Sequence, residues 1–303
     1  LLDEQTLQLL EKVPAGVFQF EIGVQSTLPK TLSTICRQAS LEKLAENVRR
    51  LRNAGNIHLH LDLIAGLPGE SYQQFLTSLN KTAQLKAHHL QAEPVKLLPG
   101  APLRDQAIVL GLIFDLHPPY SILRSNDISY LELETLRGIS RLLDLLVNSG
   151  KFTYLLPLLE DHFVGLAECL EDIDNYWREQ GLYQTPKSQR ELYFILYAYL
   201  QQRFSGLQFD RFREALGRDF AHHERVVAGS EPPFFNIDLT DVEKEQVRQR
   251  VKQEISQLQR SGKIQYFAAT FNFIPESKGR TLLIFLYLTK SGKGQRVKEV
   301  LLI

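Results

Sequence analysis

The sequence predicts an α/β fold: a parallel sheet or barrel of three β/α units, then a mainly helical part that ends in a small antiparallel β element. Two observations carry this. Within about the first 100 residues, three runs of alternating apolar and polar residues are separated by stretches of helical period, the rhythm of parallel strands joined by crossover helices. Farther on, helical stripes dominate until the closing stretch returns to strand-like composition. The expected domains are therefore residues 1–112 and 113–303.

In chain order, residues 1–13 place Leu2, Leu7, Leu9, Leu10 and Val13 at mostly helical spacings, and Pro14-Ala15-Gly16 stops them. A strand is expected over Val17 to Val24, with Phe18, Phe20, Ile22 and Val24 on one face and Gln19 and Glu21 on the other. Pro29 suits the first turn of a short helix ending near Arg37. The next helix, from about Ser40, stripes Leu41, Leu44, Val48 and Leu51 and stops at Gly55. Then comes the central strand and its loop, Ile57 to Glu70 (IHLHLDLIAGLPGE). Ile57, Leu59, Leu61 and Leu63 point one way, while His58, His60, Asp62 and Ile64 point the other. With helices outside a parallel sheet neither face meets bulk water, so the polar face is expected to line a cavity. Gly66 and Gly69 let the chain turn or approach a ligand at the carboxyl end of the strand, where such sheets bind theirs. His58, His60 and Asp62 are read as hydrogen-bonded cavity residues, with a His-x-His-x-Asp metal ladder as the alternative. Glu70 is expected to cap the following helix.

That helix carries Tyr72, Phe75, Leu79 and Leu85, and a third strand is expected over His88 to Leu98, with Pro94 hinting at an edge or bulge. The run PLRDQAIVLGL reads as a helix and His117-Pro118-Pro119-Tyr120 as a rigid turn. A long helix follows over Ser129 to Val147, opened by a capping box (Ser129, Glu132) and ended by Asn148-Ser149-Gly150. Further helices are expected over residues 154–163, 164–180, 188–204 and 209–223. In the third of these, Tyr193, Leu196, Tyr197 and Leu200 fall at core spacing. Val242, Val247, Val251, Ile255 and Leu258 stripe one more helix, begun by Thr240 and Glu243. A hairpin around Pro275 to Gly279 and a final strand near Val297 to Ile303 complete the chain.

Composition narrows the class. Lys plus Arg and Asp plus Glu number 35 each, and the zero net charge argues against a dedicated nucleic-acid binder. No run of about 18 apolar residues and no signal peptide are present, so no membrane partner and a cytoplasmic location are expected. Two cysteines, Cys36 and Cys169, are too few for a disulfide scaffold and form no metal-ligand spacing. The chain lacks methionine altogether and begins with leucine, as though cut from something longer or rewritten.

The segments EIGVQST, TLSTICR, LDLIAGLPGE and KLLPGAPLR, in that order, resemble the second half of a radical S-adenosylmethionine (SAM) domain of the subgroup that includes oxygen-independent coproporphyrinogen oxidase. Arg37 and Asp62 follow Gln25 by the subgroup's offsets of 12 and 37 residues. The fuller run QFEIGVQST, NIHLHLDLIAGLPGE, HPPYSILR and NSGKF is closer still to radical SAM proteins with an N-terminal cobalamin-binding domain and a C-terminal domain of unknown function. The resemblance is strong to about Phe152 and fades after that. It implies the last three β/α units of a partial TIM barrel, an enzyme that cleaves SAM reductively with a 4Fe-4S cluster and cobalamin, and a small-molecule substrate. It also implies a SAM site. Gln25 and Asp62 would bond the ribose or neighbouring groups, and Arg37 would face the carboxylate with its planar fork. The main chain at Ile64 to Gly66 and near Lys96 would border the adenine. The departure is equally plain: the family's CxxxCxxC loop is absent, and two cysteines cannot hold the cluster. The cluster and cobalamin are thus expected from a missing N-terminal half, without which the strand Val17 to Val24 would sit at an open edge, with Phe18, Phe20 and the helix of Leu7 and Leu10 partly exposed. The alternative is a binding module without catalysis.

Overall fold

The computed structural model describes residues 2–38, 40–257, 264–275, 277, 279–290 and 293–302. Leu1, Leu258 and Ile303, and Glu276 and Lys278 of the expected hairpin turn, lie outside the described residues. Two compact units emerge, one of Leu1–Gly150 with Leu159–Leu182, the other of Lys151–Leu158 with Tyr183–Ile303. The expected boundary at residue 112 falls inside the first unit.

The first unit begins with α1 (Glu4–Leu10), whose N-cap Asp3 accepts from the Thr6 N–H. It continues through β1 (Gln19–Gln25), α2 (Pro29–Thr34), α3 (Leu41–Ala54), β2 (His58–Ala65), α4 (Tyr72–Ala83) and β3 (His89–Pro94). β1, β2 and β3 pair in parallel in chain order, as their alternation with helices predicts. Ser40 caps α3, and Gly55 ends it at φ 69, a left-handed conformation that glycine adopts without a Cβ penalty. Leu59, Leu61 and Leu63 on β2 are fully buried, each contributing about 2 kcal/mol of hydrophobic stabilisation. Leu7 and Leu10 are buried too, contrary to expectation, because α1 lies against α3. Arg50 of α3 pairs with both Glu4 and Glu11 across that contact.

After β3 the expected helix over PLRDQAIVLGL shrinks to α5 (Pro102–Asp105). Ile108, Val109 and Leu110 are consecutive and cannot share one helical face, and Ile108 and Val109 stand exposed. A short antiparallel pair, β4 (Ile113–Phe114) and β5 (Ile122–Arg124), flanks the turn that holds a cis Pro118-Pro119 bond. Arg104 stacks between Phe114 and Tyr120, at 5.0 and 4.9 Å from the ring centroids. The long helix is α6 (Tyr130–Leu142) running into a π-helical turn, Leu143–Asn148. That turn delivers Asn148 to the outer edge of β3, where its amide oxygen accepts the Leu90 N–H (3.0 Å) and its amide nitrogen donates to the Leu90 carbonyl (3.0 Å). One side chain thus stands in for a neighbouring strand. α7 (Leu155–His162) straddles the division between units, and α8 (Leu166–Glu179) packs on α6. The Asp174 carboxylate of α8 occupies the place where a Cβ on Gly138 would lie.

The second unit holds α9 (Gln189–Arg203), α10 (Gly206–His223), α11 (Asp241–Gln257) and an antiparallel sheet of β6 (Ile264–Phe271), β7 (Thr281–Lys290) and β8 (Lys293–Leu302). Tyr193, Leu196 and Leu200 of α9 are buried as their spacing predicts, with Tyr199 rather than Tyr197 completing the face. Val247 and Val251 of α11 pack on Leu282, Ile284, Leu286 and Val300. Val242, five residues earlier, is rotated off that stripe and exposed, and Ile255 is exposed as well. Asp219 of α10 caps the start of α7, accepting the Tyr154 and Leu155 N–H groups at 2.9 Å each.

Candidate functional site

The carboxyl edge of the parallel sheet owes its shape to one irregularity. Gly23 pairs with Asp62, but Gln25, not Val24, pairs with Leu63, so β1 bulges by one residue at its end. Gln25 takes φ 68, a left-handed conformation unusual for a side-chain-bearing residue. Its amide folds back over Gly23: a Cβ there would collide with the amide nitrogen and stand 3.4 Å from Arg37 Nη2. Arg37, exposed just after α2, donates to the Gly23 carbonyl. Strand partners in a parallel pair project to the same side, so the Gln25 amide lies on the face to which Asp62 points. Asp62 is half-buried, and burial, followed by the neighbouring Glu21 carboxylate, pushes its carboxyl above the usual range against the pull of His60 and His89. One register step farther stand Ile64 and its partner Glu93, and Lys96 lies 3.8 Å from Glu93. Lys96 itself is exposed and its backbone bridges to Ser121.

Gly66 is placed differently. At φ 82 it turns the chain as predicted, but a Cβ there would meet Ile122 at 3.0 and 3.2 Å and Leu133 at 3.2 Å. Its bare Cα is used by side-chain packing. Glu70 is not the cap of α4 either. Ser71 is, in a capping box with Gln74, while Glu70 is buried and accepts hydroxyls from Ser26 and Ser78 at 2.8 Å each. Nothing in the spacing of Ser26 and Ser78 announces this. The one legible signal is an acid held directly behind Gly69.

The polar face is more open than expected. His58, Glu21 and Gln91 are exposed, while His60, Asp62 and Ile64 are half-buried. Four imidazoles gather at its amino end: His58 stacks on His88 and His60 on His89, at centroid separations of 4.6 and 4.5 Å. His60 Nε2 and His58 Nδ1 are 3.0 Å apart, and His88 Nδ1 accepts the Leu59 N–H at 3.0 Å. No group of three or more His, Cys, Asp or Glu among the described residues could hold a metal ion, so the metal ladder is not formed. Beside β1, on the side away from β2, a concavity of about 650 Å³ is lined by Phe20, Ile22, Gly23, Arg37, Leu44 and Val48, among others. No helix among the described residues is long and apolar enough to cross a membrane.

An α/β protein with a polar cluster at the carboxyl edge of a parallel sheet is the class these features define. Residues 110–272 match the family described as "Protein of unknown function (DUF4080)", more than half of the chain, and the chain belongs to that family. It is also 33% identical over 78 residues to the heme chaperone HemW of Mycobacterium tuberculosis, covering 26% of this chain and 20% of that protein. Over 89 residues it is 33% identical to the oxygen-independent coproporphyrinogen-III oxidase-like protein HemZ of Bacillus subtilis, covering 29% of this chain and 17% of that one. The chain thus spans a fifth or less of the length of these relatives. Among solved structures, it overlaps the radical SAM methyltransferase TsrM of Kitasatospora setae with a TM-score of 0.33 at 21% identity, over 40% of this chain and 24% of that one. For coproporphyrinogen III oxidase (HemN) of Escherichia coli, a radical SAM enzyme, the values are 0.30 and 19%, over 46% and 36%. Overlaps this low carry no argument about the fold.

Proposed function

We propose that the cluster at the end of β1 and β2 is a SAM site, and that the chain is the last three β/α units of a partial radical SAM barrel with its C-terminal domain. The observation that supports this most is at Gly23: the Gln25 amide and the Arg37 guanidinium meet a residue with no side chain, whose register partner on β2 is Asp62. A sulfonium ligand with a ribose diol and an amino-acid carboxylate needs such partners. Gln25 and Asp62 would take the hydroxyls, Arg37 the carboxylate, and the backbone near Ile64, Gly66 and Lys96 the adenine. Bound SAM would supply the adenosyl group of radical chemistry. The residues present do not fit the cluster: Cys36 is exposed, Cys169 is buried with its thiol pKa pushed up by burial, and no third thiol exists. A 4Fe-4S cluster, and cobalamin if the enzyme uses it, would come from protein outside these residues, and the substrate would be a small molecule. The binding-module alternative calls for an apolar pocket; the second unit has a concavity of about 370 Å³ lined mainly by charged and amide side chains (Glu243, Gln246, Gln249, Arg250, Arg280), and a more apolar one of about 90 Å³, against the ~300 Å³ or more typical of ligand sites.

The test is calorimetric titration of the 303-residue chain with S-adenosylhomocysteine. Saturable binding should weaken about tenfold or more in Gln25→Ala, Arg37→Ala and Asp62→Ala, the cost of one charge-assisted hydrogen bond or more. Equal affinity in all three variants, or no binding by the parent chain, would sink the assignment.

A further inference from the structure

We infer that Glu70 is a positioning residue, whose buried carboxyl fixes the turn that aims the Gln25 amide over Gly23. The inference deepens the SAM-site reading and rests on it for the ligand, although the anchoring of the turn stands on its own geometry.

A side-chain-bearing residue in the left-handed region costs about 1–2 kcal/mol, so the conformation of Gln25 needs a restraint nearby. The three residues that follow it supply one. The Ser26 N–H closes back on the Val24 carbonyl at 2.9 Å, around Gln25. Ser26 Oγ accepts the Leu28 N–H at 3.0 Å and donates to Glu70 Oε1 at 2.8 Å. Ser78 of α4 accepts the Thr27 N–H at 3.2 Å and donates to the same Glu70 oxygen at 2.8 Å. Residues 26, 27 and 28 are therefore all tied to one carboxyl oxygen, each through a serine hydroxyl. Ser26 and Ser78 are fully buried and Glu70 is 1% exposed, so water cannot substitute for these bonds.

Glu70 has no competing duty. Its own helix is capped by Ser71 and Gln74. Its second oxygen, Oε2, is buried without a partner among the described residues. Burial pushes the carboxyl pKa up against the pull of the Ser78 and Ser26 hydroxyls. A proton retained on Oε2 would leave Oε1 free to accept both hydroxyls, so an amide should serve nearly as well as the acid.

The experiment compares Glu70→Ala, Glu70→Gln and Ser26→Ala in the 303-residue chain. Three quantities are read: amide exchange at Ser26, Thr27 and Leu28 relative to Leu61 in the core strand, urea stability, and affinity for S-adenosylhomocysteine. Glu70→Ala should speed exchange in the turn about tenfold more than at Leu61 and weaken binding by a similar factor, while Glu70→Gln restores both to within about threefold. Ser26→Ala, which leaves Glu70 and Ser78 bonded to each other, should reproduce the loosened turn if Glu70→Ala does not fold. Exchange in the turn that rises only in step with Leu61 in every variant would reduce Glu70 to a core residue and overturn the inference. If the parent chain binds no S-adenosylhomocysteine yet Glu70→Ala still loosens the turn selectively, the positioning role holds and the SAM reading falls.

Discussion

Replacing Gly66 by alanine separates two uses of a bare Cα in a loop at a strand end. At φ 82 any added Cβ incurs the left-handed penalty, about 1–2 kcal/mol. The same Cβ would also press on Ile122 and Leu133 at 3.0–3.2 Å, and overpacking of that kind costs a further ~1–3 kcal/mol. Gly66→Ala should therefore lose about 2–5 kcal/mol. Gly55 is the internal control, because it has a similar φ of 69 and no atom within 4 Å of an added Cβ. Gly55→Ala should lose only the backbone penalty, about 1–2 kcal/mol. The assay is urea unfolding followed by the fluorescence of Trp177, the only tryptophan, which is fully buried in the first unit and reports on that unit alone. Equal losses in the two variants would refute the packing account, and Gly66 would then be bare for the sake of whatever approaches its backbone.

The same fluorescence reports on Asn148→Ala, which should cost about 1–3 kcal/mol by leaving the Leu90 N–H and carbonyl unmet at the sheet edge. A loss under about 0.5 kcal/mol, the usual range for a surface change, would show that water replaces the amide there. In the second unit, burial pushes the Asp219 carboxyl up to about 7, against the N–H groups of Tyr154 and Leu155 and the Thr153 hydroxyl. An unfolded chain gives up that proton near the ordinary aspartate value of 3.8, so the second unit should lose stability as pH rises from about 4 to 7 and level off above. Thermal unfolding followed by tyrosine circular dichroism should show this slope in the parent and not in Asp219→Asn. A flat parent profile would mean that the hydrogen-bond donors offset burial in full.

Legibility in the sequence followed the range of the interaction. The alternation of His58 to Ile64 fixed which residues share a face, because a period of two has one solution once Leu59, Leu61 and Leu63 must be buried. The capping box at Ser129 and the stop at Gly55 are likewise local, and both form where the sequence places them. What a face meets is not local. Period alone left the His58, His60 and Asp62 side as a cavity wall, and the fold leaves His58 exposed with His60 and Asp62 half-buried. Asn148 looked like a helix terminator, while its work at Leu90 depends on a strand 58 residues away. Glu70 looked like a cap for the same reason, since Ser26 lies 44 residues earlier.

The bulge, the left-handed Gln25 and the bare Gly23 are better understood as one device than as three accidents. By parity along an unbroken strand, Gln25 would share the face of Glu21 and Gly23, with its amide carried straight past the sheet edge. The extra residue at Val24 instead gives Gln25 the backbone slot opposite Leu63, on the register of the buried face. Only the positive φ then lets the side chain double back, and only a residue without a Cβ at position 23 leaves room for it to settle. Arg37 closes the arrangement by holding the Gly23 carbonyl from the other chain direction. The irregular end of β1, more than the regular strands that carry it, is therefore what folds the Gln25 amide back over Gly23, beside its register partner Asp62.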